Sequence, residues 1–135
     1  MAFKFENLEV WKLALVYLDD VYQSANRLPK EEVYNLRSQW IRAATSIALN
    51  IAEGSTGQSD SEQVRFLGYA IRLWMESTAC LRIAQRRMYL ADEAGKMKVR
   101  TEMLIKKTSI LSKCGPGKSK RHSNIGWLWS MAHRP

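Results

Sequence analysis

The chain has 135 residues, 46% of them hydrophobic, and a formal net charge of +8, which indicates one globular domain with its own core. No apolar run approaches the ~20 residues that cross a bilayer, and the charged N-terminus lacks the apolar segment of a signal peptide. The two cysteines, Cys80 and Cys114, do not form a metal-type pair, so we expect free thiols in the reducing cytoplasm.

The first predicted helix covers residues 7–26, with Asn7 as its N-cap. Its inward stripe at helical spacing comprises Leu8, Trp11, Ala14, Leu15, Leu18, Val21, Tyr22 and Ala25. A bundle helix normally keeps the positions outside its stripe polar, but this one has Val10, Leu13, Val16 and Tyr17 there. Exposed on a monomer, such residues would form an apolar patch, which predicts an interface between subunits. The candidate interface residues are Val10, Leu13, Val16 and, on the second helix, Leu49.

The second predicted helix covers residues 31–53. Its apolar face has residues at spacings of four and three, namely Leu36, Trp40, Ala44, Ile47 and Ile51. Gly54 predicts a left-handed stop directly after this helix. Two polar residues near the stop, Asn50 and Glu53, have two interpretations. They form structural hydrogen bonds, which we favour, or they belong to a binding pocket.

Ser59 and Glu62 form the capping box S-x-x-E, which predicts the start of a third helix over residues 60–90. Its inward stripe comprises Leu67, Ile71, Trp74, Thr78, Leu81, Ala84 and Met88. A fourth helix over residues 93–112 places Met97, Leu104, Thr108 and Leu111 inward, with Val99, Met103 and Ile110 on a second side. Four amphipathic helices with short joints predict an all-α, antiparallel up-down-up-down four-helix bundle over residues 1–112.

Charge is spread unevenly, because all 13 acidic residues lie at or before Glu102. Residues 1–112 hold 16 basic residues and a net charge of +3, and residues 113–135 hold the other five and a net charge of +5. This tail, which we expect to be disordered, indicates attraction to polyanions; the alternative is a merely solvated end. Its candidate contacts are Lys118, Lys120 and Arg121, with Trp127 and Trp129 to stack on bases or to dock on a neighbouring subunit.

The third helix carries a row of arginines at multiples of seven residues. Arg65, Arg72 and Arg86 follow this spacing, interrupted by Ala79, and the row extends for about 30 Å. The flanking residues are Arg82 and Arg87. Such a row predicts electrostatic contacts with phosphates. The alternative is a solvated face in which Glu76 partly neutralises Arg72.

Motifs of enzymes are missing from the sequence. Both histidines, His122 and His133, lie in the tail, so a Ser/His/Asp or Cys/His site would have to recruit that end. No phosphate-binding glycine loop occurs. Cys114 and the two histidines match no standard zinc spacing. We therefore expect a protein without catalytic activity, cofactor or metal.

Sequence motifs follow one another in order along residues 5–111. They are F-x-x-L-x-V-W from Phe5, L-P-x-x-E-x-Y-x-L from Leu28, QWIRAATSIALNIAEG at residues 39–54, F-L-x-x-A from Phe66, and Glu76. Together they resemble the small bacterial four helix bundle protein family. That family includes the protein encoded by intervening sequences in 23S ribosomal RNA genes, and it is structurally akin to accessory proteins of diversity-generating retroelements. The resemblance implies ring-shaped homopentamers of four-helix bundles.

Two positions depart from the family's pattern. Arg72-Leu73 stand where the family usually has a Gly-Ser pair, and Gln58 stands where it usually has a basic residue. The first departure implies a looser helix contact or a solvent-facing side, and the second weakens any anion site at that turn.

The sequence thus predicts a non-enzymatic homo-oligomeric scaffold that binds nucleic acid without sequence preference. An accessory role for a reverse transcriptase or a ribosomal RNA element is what the resemblance implies. The alternative is a protein-protein interaction adaptor that does not touch nucleic acid. An adjacent reverse transcriptase gene, or a location inside a ribosomal RNA gene, would favour nucleic acid.

Overall fold

The computed structural model describes residues 3–56, 59–90 and 94–113, without the side chains of residues 94–96 and 111–113. It confirms the all-α class, with four α-helices and no strand in these ranges. The helices are α1 (Glu9–Ala25), α2 (Leu36–Gly54), α3 (Asp60–Arg86) and α4 (Ala94–Lys113). Short 3-10 helices, Lys4–Asn7 and Lys30–Glu32, precede α1 and α2. The predicted tail from residue 114 onwards lies outside the described residues.

The helices pack on one another in chain order, and α1 also packs on α4. Glu9 at the start of α1 pairs with Lys107 near the end of α4, and Asp20 pairs with Arg100. The residue number increases along α1 from the first pair to the second, while that of the partner on α4 decreases, so the two helices run antiparallel. The up-down-up-down order of all four helices and the ring assembly stay predictions.

The core is built mainly from the large apolar residues of α2 and α3. Seven residues predicted to be inside are buried: Trp40, Ile47, Ile51, Leu67, Ile71, Trp74 and Leu81. Burying one such side chain contributes about 1.5–3 kcal/mol, so these seven residues make a large contribution to the stability of the bundle. On α4, Met97, Leu104 and Thr108 are buried while Val99, Met103 and Ile110 are exposed, as the pattern predicts.

A small hydrogen-bonded cluster lies inside this core. The Tyr17 hydroxyl lies 2.7 Å from Ser77 Oγ, which also accepts a hydrogen bond of 3.0 Å from Trp40 Nε1. Burial raises the pKa of Tyr17 despite these bonds. The cluster ties α1, α2 and α3 together, because a buried hydroxyl without a partner would be costly.

The predicted inward stripe of α1 is right in part and wrong at its edges; the members that are buried are Ala14, Val21 and Ala25. Val10 and Tyr17, placed outside the stripe, are buried, whereas Leu15 and Tyr22, placed inside it, are exposed. Apolar residues cover so wide an arc of this helix that periodicity alone does not fix which side faces the core. Tyr17 turns inward because Ser77 supplies a partner for its hydroxyl, and that partner comes from a distant part of the chain.

Helix ends also differ from the prediction. The N-cap of α1 is Leu8 rather than Asn7. The α-helical part of α2 starts at Leu36 rather than residue 31, because the Glu32 carboxylate accepts hydrogen bonds from Leu36 N and from the Asn35 amide. The predicted cap of α3 is confirmed, since Ser59 Oγ accepts from Glu62 N.

Gly54 is no left-handed stop, because it lies within the last turn of α2 and Ser55 after it has right-handed helical angles. The left-handed residue is Met88, with φ of 60°, which ends α3 earlier than predicted. Met88 N donates to Gln85 O, and Tyr89 N donates to Ala84 O. This pair of bonds defines a Schellman motif, whose left-handed position is usually glycine.

Candidate nucleic-acid interface

The predicted arginine row is exposed along α3. Arg65, Arg72, Arg82 and Arg86 lie on the helix and Arg87 is its C-cap, and all five are accessible to solvent. Repulsion among these charges is tolerable because the side chains extend into water, where charges are screened. The guanidinium groups of the row are therefore accessible to a polyanion in solution.

Three of these arginines have neighbours within the helix or turn. Arg65 lies 3.4 Å from the exposed carboxylate of Glu62, a pair worth little in water. Arg82 donates to the Gln85 side chain over 3.0 Å. Arg87 lies 5.9 Å from the centre of the Tyr89 ring, and its contact with Tyr89 raises its pKa.

Arg72 and Arg86 remain available. Within the described residues, neither side chain makes a hydrogen bond or an ion pair, so the ion pair of Arg72 with Glu76 that the alternative interpretation required is absent. These two guanidinium groups are therefore the members of the row most ready to bind phosphate. The predicted tail contacts Lys118, Lys120 and Arg121 lie outside the described residues.

A groove that the sequence reasoning missed opens beside Arg72, between α2 and α3. It has a volume of about 370 Å³. The lining is mostly polar and consists of Tyr34, Asn35, Ser38, Gln39, Arg42, Ala43, Ser46, Leu73 and Glu76. The helical spacing of Gln39, Ala43 and Ser46 on one side of α2 was the available signal. This signal is weak beside the apolar stripes and the arginine row, which dominate the sequence pattern of the two helices.

The predicted subunit interface is corrected in part. Val10 is only 4% exposed and belongs to the core, because α1 is rotated from its predicted position. Leu13 is half-buried against the core. Val16 and Leu49 are exposed, at 42% and 53%, and Leu15 and Tyr22 join them as exposed apolar residues.

Other sequence candidates have structural roles or none. Asn50 donates a hydrogen bond of 2.7 Å to Ser46 O, which agrees with the structural interpretation of this residue. Glu53 is exposed at the end of α2. Cys80 is a free, buried thiol. No cluster of His, Cys, Asp and Glu in the described ranges is arranged to hold a metal ion. None of the helices described has the length and apolar character to traverse a bilayer.

Comparison with known families agrees with the motifs and the four-helix fold. Residues 6–109 match the sequence profile of the family described as 23S rRNA-intervening sequence protein. The chain belongs to this family. The 23S rRNA-intervening sequence protein match covers all four helices apart from the end of α4. No curated protein matches the chain significantly.

Proposed function

We propose that the protein is a non-enzymatic, homo-oligomeric scaffold in the cytoplasm that binds nucleic acid through the exposed arginines of α3 and the basic segment after Ser112. The observation that carries this proposal is the exposed row in which Arg72 and Arg86 have no partner among the described residues. Phosphate contacts of this kind carry no sequence information. The family description supports RNA as the leading partner, in a ribosomal RNA element or beside a reverse transcriptase.

A titration with labelled RNA and DNA tests the proposal. Arg72→Glu combined with Arg86→Glu should weaken binding and flatten its dependence on salt, since each lost contact removes about 0.9 from the log-log slope on duplex DNA. The matched control is Lys4→Glu combined with Lys12→Glu, which reverses two exposed charges on elements other than α3. The control should bind nearly as well as the wild type.

Two results would change the proposal. Absence of binding at about 50 mM salt, where phosphate contacts are strong, would favour the protein-protein adaptor. Equal binding by the wild type and the α3 double variant would move the contact to the segment after Ser112, and a chain ending there would then lose binding.

A further inference from the structure

We propose that the groove between α2 and α3 binds an unpaired guanine base of an RNA strand, an inference that rests on the nucleic-acid binding proposed above. The groove has a volume of about 370 Å³, within the usual range of small-molecule sites. Ala43 is buried and Leu73 half-buried among its lining residues. Polar and aromatic groups surround these two, as a planar base with a polar edge requires.

Tyr34 supplies the stacking surface. This residue is 96% exposed, the most exposed large hydrophobic residue in the described ranges. Both faces of its ring are therefore open. Unpaired RNA bases are commonly held by stacking on such rings while their edges form hydrogen bonds. Stacking alone accepts any base, so the choice of base depends on the rest of the lining.

Glu76 supplies the selective contact. An ionised carboxylate only accepts hydrogen bonds, and guanine alone among the four bases presents two adjacent donors, N1–H and the N2 amino group, beside the O6 acceptor. A carboxylate would face a lone pair at adenine N1 or cytosine N3. Gln39 and Arg42 are exposed donors for O6, and no hydrogen bond among the described residues occupies either side chain.

The charge around the groove fits a base better than a phosphate. Its lining has one cation, Arg42, and one carboxylate, Glu76, so a phosphate placed there would meet a negative charge. Arg72 precedes Glu76 by one helical turn, about 6 Å along α3, and its guanidinium has no partner within the described residues. A strand held by the arginine row can therefore place one base in the groove while its phosphates stay on α3.

Fluorescence anisotropy with three RNAs tests the inference. The probes are a labelled ten-uridine RNA and the same RNA with one central guanosine or one central adenosine, at about 50 mM salt. The guanosine RNA should bind about fivefold tighter than the other two, the lower end of what a paired hydrogen bond discriminates. Glu76→Gln should abolish this difference, because an amide puts a donor where a carboxylate oxygen accepted.

The matched control is Glu31→Gln, which removes the same charge from an exposed residue near Tyr34 that does not line the groove. This variant should keep the guanosine preference. Circular dichroism and light scattering on both variants check whether fold and assembly are unchanged.

Equal affinity of the wild type for the three RNAs would overturn the guanine site and leave the arginine contact standing. Failure of all three RNAs to bind would overturn both proposals. A guanosine preference that survives in Glu76→Gln would also overturn the site. So would a smaller oligomer in that variant, because the groove would then be a contact between copies of the chain.

Discussion

Trp40 shows how one residue joins packing to hydrogen bonding. It has no exposed surface, and its indole N–H donates to Ser77 Oγ. Trp40→Ala should lower the free energy of unfolding by about 3–5 kcal/mol, the usual cost of removing a large buried aromatic ring. Urea unfolding followed by circular dichroism measures this. The control is Trp11→Ala at a half-buried position, where the loss of free energy of unfolding should be smaller. An unchanged urea midpoint for Trp40→Ala would contradict the register of α2.

The buried thiol of Cys80 should make the free energy of unfolding depend on pH in the alkaline range. Burial, with a smaller contribution from the charge of Glu76, raises the pKa of its thiol from 9.0 to about 11. The thiolate then forms more readily in the unfolded chain, so the stabilisation is complete below pH 9.0 and is lost as the pH rises towards about 11. Urea midpoints across this interval should fall less steeply for Cys80→Ala than for the wild type. Parallel slopes would show that the thiol does not contribute.

Met88 carries backbone strain at the end of α3. Its φ of 60° costs an L-residue roughly 1–2 kcal/mol, and the side chain is exposed, so little packing compensates. Met88→Gly should raise the free energy of unfolding by up to about 1 kcal/mol, because the greater freedom of glycine in the unfolded chain offsets part of the gain. Arg87→Gly, at a right-handed position, should not stabilise. A Met88→Gly variant no more stable than the wild type would contradict the strain.

At the scale of the element, the end of α2 packs very closely against the first turns of α3. A Cβ on Gly54 would lie 3.0 Å from Phe66 Cβ, whereas a Cβ on Gly68 would meet nothing within 4 Å. Gly54→Ala should therefore destabilise the bundle by about 1–3 kcal/mol through overpacking. Gly68→Ala, the control within a helix, should stabilise by up to about 1 kcal/mol through helix propensity. Thermal unfolding of both variants checks the pair, and equal shifts would contradict the close approach.

The elements differ in how far their sequence determines them. In α2 and α3 the largest apolar residues recur at spacings of four and three, so the spacing alone places Trp40 and Trp74 in the core, although Leu49 on α2 and Ile83 on α3 are exposed. The broad apolar arc of α1 fits more than one rotation of the helix, so spacing alone predicts Leu15 inside and Tyr17 outside, the reverse of what is observed. Exposure of the arginine row followed from charge, which is costly to bury. The groove was not foreseen, because its lining combines residues of two helices whose relative placement depends on the packed core.

At the scale of the whole molecule, we expect the exposed apolar residues of α1 and α2 to mediate self-assembly. Their members are between 38% and 53% exposed, namely Leu15, Val16, Tyr22 and Leu49, and a contiguous patch of such residues would mark an interface. The family resemblance implies five subunits, so light scattering should give about five times the chain mass of 15.6 kDa. Identical head-to-tail contacts close into such a ring when the rotation fits.

Charge introduced on this surface tests where the subunits meet. Leu15→Glu combined with Leu49→Glu should reduce the mass, because the charges would be desolvated in the contact. Val99→Glu, at an exposed position of α4, is the control and should leave the mass unchanged. A monomeric wild type at micromolar concentration would contradict the assembly, and dissociation by the control alone would move the contact to α4.

The placement of the tryptophans gives the protein built-in optical probes. Trp40 and Trp74 are enclosed in the core, whereas Trp11 is half-buried with its ring edge-on to Phe5, 4.7 Å away. Because the emission maximum of indole shifts with the polarity around the ring, the core tryptophans and Trp11 should differ in emission wavelength and in accessibility to a dissolved quencher. With Trp127 and Trp129 replaced by phenylalanine, opening of the N-terminal segment and melting of the centre would become separate fluorescence signals from one unlabelled chain.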